Sequence, residues 1–160
     1  MNDINIKIKF YNGAAELYSA PGSVGPVPAT PGSAGFDLRV NHIGEGEESF
    51  TIPPGGRAAI HSGICVEPSL SDVAGFVYSR SGLGAVQGLT VAQGVGLIDP
   101  DYRGEIVVFL LNTSGEPKTV KRGDRVAQLV FQPFYRAVFE PVDELGTTER
   151  GAGGFGHTGK

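Results

Sequence analysis

The 160-residue sequence predicts an all-β fold, a sandwich, a barrel or a jelly roll. Three observations predict it. Short apolar or alternating runs follow one another along the whole chain, with turn residues at close intervals. Gly (25) and Pro (11) make up more than a fifth of the residues, and they punctuate those runs. No long stretch carries the 3.6-residue periodicity of an amphipathic helix. The length fits one domain with a real core, and the 40% apolar content is that of a globular chain.

Taken in order, residues 5–10 alternate, with Ile6, Ile8 and Phe10 on one face and Asn5, Lys7 and Lys9 on the other, as in a half-buried strand. Residues 18–35 are dense in Pro and Gly and read as a loop. Residues 36–40 are strand-like, and residues 44–49 form an acidic turn. Residues 50–52 and 57–66 read as strands about the Pro53-Pro54-Gly55-Gly56 turn. Residues 73–78 form another apolar run, broken by Ser79-Arg80-Ser81-Gly82-Leu83-Gly84, after which a single helical turn fits residues 83–87. Residues 89–91 and 95–98 are short strands. Residues 105–112 are almost continuously apolar and are expected to be buried on both faces. Residues 119–120 and 125–132 flank the Lys121-Arg122-Gly123-Asp124 turn, and residues 135–142 are expected as the last strand. Residues 143–149 read as a polar linker to a Gly-rich tail.

Charge and composition exclude several classes. The net charge of −4 gives no general attraction for nucleic acid or acidic membranes, so an anionic ligand needs a locally positive site or a metal. Cys65 is the single cysteine and sits in an apolar run, which suits a small core residue rather than a disulfide or a metal cluster. No signal-like apolar region opens the sequence and no stretch approaches membrane-spanning length, so a cytoplasmic, reducing compartment is expected.

The tail, residues 150–160, holds five glycines between Arg150 and Lys160, with Phe155 in the middle. Glycines leave N–H groups open to an anion, the two cations add charge, and Phe155 offers a flat face to a planar base. Gly154 to Lys160 fits the first seven positions of the phosphate-loop pattern G-x-x-x-x-G-K-[ST], but that motif works only after a strand and at the start of a helix, and neither a following helix nor the metal-holding Ser/Thr is expected here. Four further segments break strand logic with polar residues. They are Ala34-Gly35-Phe36-Asp37-Leu38, Ser79-Arg80-Ser81-Gly82-Leu83, Gly96-Leu97-Ile98-Asp99-Pro100-Asp101-Tyr102-Arg103-Gly104 and Gly123-Asp124-Arg125-Val126-Ala127-Gln128. Each alone is ordinary turn chemistry.

With the tail, and in this order, these segments resemble the five motifs of the trimeric dUTP pyrophosphatase (dUTPase) family, over nearly the whole chain. The resemblance implies an all-β, jelly-roll-like or distorted β-barrel fold of short strands with at most one short helix. Residues 1–142 would carry the first four motifs, and residues 143–160 would be a linker and mobile Gly-rich C-terminal arm carrying the fifth. The implied reaction is hydrolysis of dUTP to dUMP and pyrophosphate, which limits uracil in DNA and supplies dUMP. Mg²⁺ is implied as cofactor, held by substrate phosphates and water with no direct protein ligand. The implied assembly is a homotrimer with shared sites, bound neither to membrane nor to nucleic acid.

Site roles follow from the same resemblance. Asp99 matches the carboxylate that orients and deprotonates the attacking water; a carboxylate is ionised at neutral pH and can take the proton. Tyr102 matches the ring that packs on the deoxyribose and excludes a 2′-hydroxyl. Residues 89–96, with Gln93 and Gly96, match the hairpin that reads uracil; many members carry Asn at the place of Gln93. Arg80, Ser81, Gly82 and Gln128 match phosphate-binding positions, and Asp37 is expected to orient Arg80 or metal-bound water. Asp101, Asp124 and Arg125 are expected to hold turns. In the tail, Phe155 would stack on uracil, Arg150 would pair with the terminal phosphate, and Gly156 and Thr158 would donate to it; His157 stands where many members have Ser.

Two rival readings remain at this point. A dCTP deaminase-like relative would read Arg-Ser-Ser where this chain reads Arg80-Ser81-Gly82, and would need a glutamate in place of the hydrolytic arrangement. A non-catalytic nucleotide-binding regulator is the other, and the presence of Asp99 and Phe155 weighs against it.

Overall fold

The computed structural model describes residues 3–20, 22–23, 25–43, 47 and 49–154. Twelve strands form among them, with one short α-helix and one π turn: β1 (Ile6–Phe10), α1 (Ala15–Tyr18), β2 (Phe36–Arg39), β3 (His42–Ile43), β4 (Ser49–Ile52), β5 (Arg57–His61), β6 (Ile64–Pro68), β7 (Val73–Ser79), the π turn (Gly82–Val86), β8 (Leu89–Val91), β9 (Gly96–Ile98), β10 (Val107–Asn112), β11 (Lys118–Lys121) and β12 (Arg125–Pro133). No described helix is long and apolar enough to cross a membrane.

Two four-stranded sheets, ordered β3-β5-β10-β8 and β2-β12-β7-β9, supply the body, and the pairs β1-β6 and β11-β4 complete it. All the named pairings are antiparallel. The architecture is jelly-roll-like and open, not a closed barrel. Alternation along the strands sends one face of each sheet inward, where Leu38, Ile52, Ile60, Ile64, Leu110 and Leu129 are fully buried in one core.

Four expectations change. Residues 57–66 are not one strand: the chain breaks at Ser62-Gly63 into β5 and β6. Gly63 has φ +75°, and a Cβ there would strike the Ala14 side chain and lie 2.8 Å from Asn41 Nδ2, so the turn needs glycine both for conformation and for room. α1, placed against this turn through Ala14, lies inside what read as loop; four residues are too few to show a period. β10 is not buried on both faces. Val108, Leu110 and Asn112 point inward, while Phe109 is 48% exposed, because β5 and β8 cover the strand's edges and the core covers one face only. Residues 135–142 form no strand. They pair with no strand among the described residues, and Tyr135, Val138 and Phe139 stand almost fully exposed. Of the acidic turn expected at 44–49, residues 44–46 and 48 lie outside the described residues.

Candidate active site

Apart from those of the tail, the expected site residues fall into two clefts. The first, of about 480 Å³, lies where β2, β12 and β7 run side by side, and Asp37, Arg80, Ser81, Gly82 and Gln128 all line it. Register explains the grouping. Gln128 of β12 stands opposite both Asp37 of β2 and Tyr78 of β7, so Asp37 and Gln128 share the outer face, one step from the end of β7 where Arg80 follows. The β12-β2 register slips between Arg125 and Ala127. Val126 and Ala127 are both buried, and this bulge returns Arg125 to the outer face beside Asp37.

Asp37 is the hub of that cleft. Its Oδ1 meets Arg80 Nε at 2.8 Å and its Oδ2 meets an Arg125 guanidinium nitrogen at 3.2 Å. Arg80 also donates to the Arg125 carbonyl at 3.2 Å. The Arg80 carbonyl accepts from Gly84 N at 2.7 Å, which closes the turn that displays Ser81 and Gly82. Gln128 donates from Nε2 to the Ser79 carbonyl at 3.1 Å. A Cβ at Gly35 would lie 2.9 Å from Gln128 Oε1, so the backbone of the first motif passes close over that amide. Two guanidinium groups held by one carboxylate leave net positive charge beside an exposed hydroxyl and an open glycine backbone, which suits a polyanion.

The second cleft, of about 240 Å³, holds Gln93, Gly96, Asp99, Tyr102 and Glu105 against an apolar wall that includes Val77, Val91 and Val108. β8 and β9 are joined by a tight turn in which Gly94 has φ +82° and donates to the Val91 carbonyl at 3.0 Å. Asp99 follows β9, and its carbonyl accepts from Tyr102 N at 3.0 Å, so the carboxylate and the ring share one tight turn. Arg103 props that turn from behind, donating to the Pro100 carbonyl at 2.7 Å and lying 3.7 Å from Glu67. Lys7 holds Glu67 below the usual carboxylate range through its hydrogen bond and charge, with a smaller contribution from Arg103. Asp124 holds its own turn by accepting from Lys121 N at 3.0 Å, while Arg125 reaches the first cleft instead.

Glu105 was not singled out in the sequence. Its Oε1 accepts from Gly63 N at 2.7 Å, its Oε2 meets His61 Nδ1 at 2.8 Å, and its carbonyl accepts from the Tyr102 hydroxyl at 3.1 Å. His61 stacks on His42 with centroids 4.2 Å apart. Ligand atoms of His42, His61 and Glu105 lie within 4.8 Å of one another. The rings are nearly parallel, at 13°, so their in-plane lone pairs do not converge, and both Glu105 oxygens are engaged within the chain. No local pattern marks the cluster, since residue separations of 44 and 42 divide Glu105 from His61 and Gly63.

Among the described residues, none lines both clefts. Arg150 lines neither; it is exposed and donates to the Gly153 carbonyl at 2.8 Å. Phe155, Gly156 and Thr158, with His157 and Lys160, lie outside the described residues.

An open jelly-roll-like scaffold carrying a cationic cleft and, apart from it, a carboxylate on an apolar-walled cleft is that of an all-β protein suited to a phosphorylated ring compound. The dUTPase family model matches residues 23–159. A deoxyuridine 5′-triphosphate nucleotidohydrolase of Desulfitobacterium hafniense is 44% identical over 159 residues, covering 99% of each chain. One from Shewanella loihica is 46% identical over 145 residues, 89% of this chain and 93% of that one. A mutant dUTPase of Staphylococcus bacteriophage 80alpha, solved with dUpNHpp, shares the fold with a TM-score of 0.79 at 21% identity, covering 98% of this chain and 99% of the other. The dUTPase of Streptococcus mutans gives a TM-score of 0.67 at 24% identity, over 82% and 98%. The chain belongs to the dUTPase family.

Proposed function

We propose that this protein hydrolyses dUTP to dUMP and pyrophosphate, with Asp99 as the base. The observation that carries the reading is that Asp99 and Tyr102, joined by one tight turn, both line the same apolar-walled cleft. Water aimed by Asp99 attacks the α-phosphorus and gives its proton to the carboxylate. The bond to the α–β bridging oxygen breaks, and pyrophosphate leaves. Tyr102 packs on the sugar and leaves no room for a 2′-hydroxyl, while main-chain groups of the β8-β9 hairpin, with Gln93 and Gly96, read the uracil edge. Arg80, Ser81, Gly82 and Gln128 hold the phosphate chain, and Asp37 keeps Arg80 in place.

Mg²⁺ fits this donor set as a substrate-borne ion. Both Asp37 oxygens are bound by arginines, so phosphate oxygens and water are left to supply its ligands. Bound there, it neutralises charge on the triphosphate. The separation of the two clefts supports a homotrimer in which one copy brings the cationic cleft and another the Asp99 cleft. Exposed Phe109, Tyr135, Val138 and Phe139 are surface for the other copies to cover. Arg150, Phe155, Gly156 and Thr158 of the tail close over the bound nucleotide.

A pyrophosphate-release assay with dUTP, dCTP, dTTP and UTP, each with and without Mg²⁺, tests this. Mg²⁺-stimulated cleavage of dUTP alone is the expected result. No cleavage of dUTP, or ammonia released from dCTP, overturns it.

A further inference from the structure

We propose that Glu105 is a positioning residue for sugar discrimination. Its carboxylate, gripped by Gly63 and His61, holds in place the carbonyl on which the Tyr102 hydroxyl rests. This inference rests on the reading of Tyr102 as the group that excludes a ribose.

The Tyr102 side chain sits at a mouth, not in a core: the residue is 45% exposed, so packing alone does not fix its ring. A steric gate works only if its ring stays put when a bulkier sugar presses on it. One hydrogen bond tethers the far end of the ring, from the hydroxyl to the Glu105 carbonyl. That carbonyl lies between β9 and β10, in a segment with no strand of its own. Its support comes from the β5-β6 turn. The next residue, Ile106, donates to the Ile64 carbonyl at 2.9 Å, and the Glu105 carboxylate takes Gly63 N–H and His61. The carboxylate is the side-chain half of that clamp, with 18% of its side chain exposed. It couples the glycine-dependent β5-β6 turn to the strandless segment that carries the gate. The His42 ring stacked on His61 backs the clamp from the far side.

The test compares kcat/KM for dUTP and UTP in Glu105→Ala, Glu105→Gln, Tyr102→Phe and the double variant Glu105→Ala/Tyr102→Phe, with Tyr102→Ala as reference. Glu105→Ala is expected to lower the dUTP:UTP preference about fivefold, the weight of one ordinary hydrogen bond. Tyr102→Phe is expected to do the same, and the double variant to be no worse than Tyr102→Phe alone. Glu105→Gln, whose amide can still accept from Gly63 and meet His61, is expected to restore the preference. If Glu105→Ala does not fold, His61→Leu and Tyr102→Phe carry the same expectation. An unchanged preference in these variants, while Tyr102→Ala abolishes it, overturns the role of Glu105 and leaves the gate standing. An unchanged preference in Tyr102→Ala overturns the gate itself and this inference with it.

Discussion

Gly104 has no room for a side chain because the ring of Tyr102 lies on it: a Cβ there would strike the Tyr102 hydroxyl and lie 2.9 Å from its Cε2. The contact is with an aromatic ring tethered at its hydroxyl, so the ring must move if residue 104 gains a methyl group. Gly104→Ala is therefore expected to displace Tyr102, at a cost of roughly 1–3 kcal/mol as in other overpacked sites. UTP turnover relative to dUTP should rise at the same time. Thermal melting and paired kcat/KM values measure the two effects, and an unchanged substrate ratio would place discrimination away from the ring.

Asp37 holds two arginines at once, and its side chain is 19% exposed. Asp37→Ala leaves the two guanidinium groups facing each other without the carboxylate between them, and Arg80 loses its aim. Positioning residues of this kind typically cost 10–100-fold when removed. The expected result is a fall of about that size in kcat/KM for dUTP, carried mainly by KM, with the melting temperature little changed. A loss confined to kcat would mean that Asp37 serves the chemical step instead.

How much of this was legible beforehand depends on whether a feature is local. The alternation of Ile6, Ile8 and Phe10 is a statement about one strand's two faces, and β1 forms where it was read. The break at Gly63 was hidden because its cause, contact with Ala14 and Asn41, lies in segments far off along the chain. Residues 135–142 carry strand-like apolar residues, but a strand forms only where a neighbouring strand offers its edge, and none of the described residues does so there. The positions of Asp37, Arg80, Asp99, Tyr102 and Gln128 were read as motif matches. Their sorting into two clefts comes from strand register, which no motif records. Glu105 was missed for the same reason, since its partners are brought to it only by the folding of β5 and β6.

Tyr18 gives the fold a measurable pH limit. It is 4% exposed, donates to the Ser62 carbonyl at 2.9 Å and accepts from Arg39 N at 2.9 Å. Burial pushes its hydroxyl up to about 12, from an ordinary 10, because the charged phenolate is disfavoured inside. The folded value is the higher one, so the contribution is fully present below pH 10 and is lost as pH rises from 10 towards 12. A two-unit difference corresponds to about 2–3 kcal/mol. Tyr18→Phe should cost roughly 1–3 kcal/mol at neutral pH by leaving Ser62 and Arg39 backbone groups unpaired. It should also lose stability less steeply than the parent between pH 10 and 12. Urea melts across that range measure both, and identical slopes would assign the alkaline loss to other groups.

The separation of the clefts makes a prediction about mixtures of defective chains. Asp99→Asn removes the proposed base and should slow dUTP turnover by about 10²–10⁴-fold. Arg80→Ala damages the other cleft and should also cripple the protein. If each site takes its cationic cleft from one copy and its Asp99 cleft from another, every trimer mixing the two variants contains one site in which both clefts are intact. Random reassembly of equal amounts then restores about a quarter of the parent activity, since mixed trimers are about three quarters of the population and each has one good site in three. If each site were built within a single chain, every site in the mixture would carry one defect, and co-refolding would restore nothing. Refolding the two variants together from denaturant, then measuring pyrophosphate release beside the separately refolded controls, decides between the two arrangements.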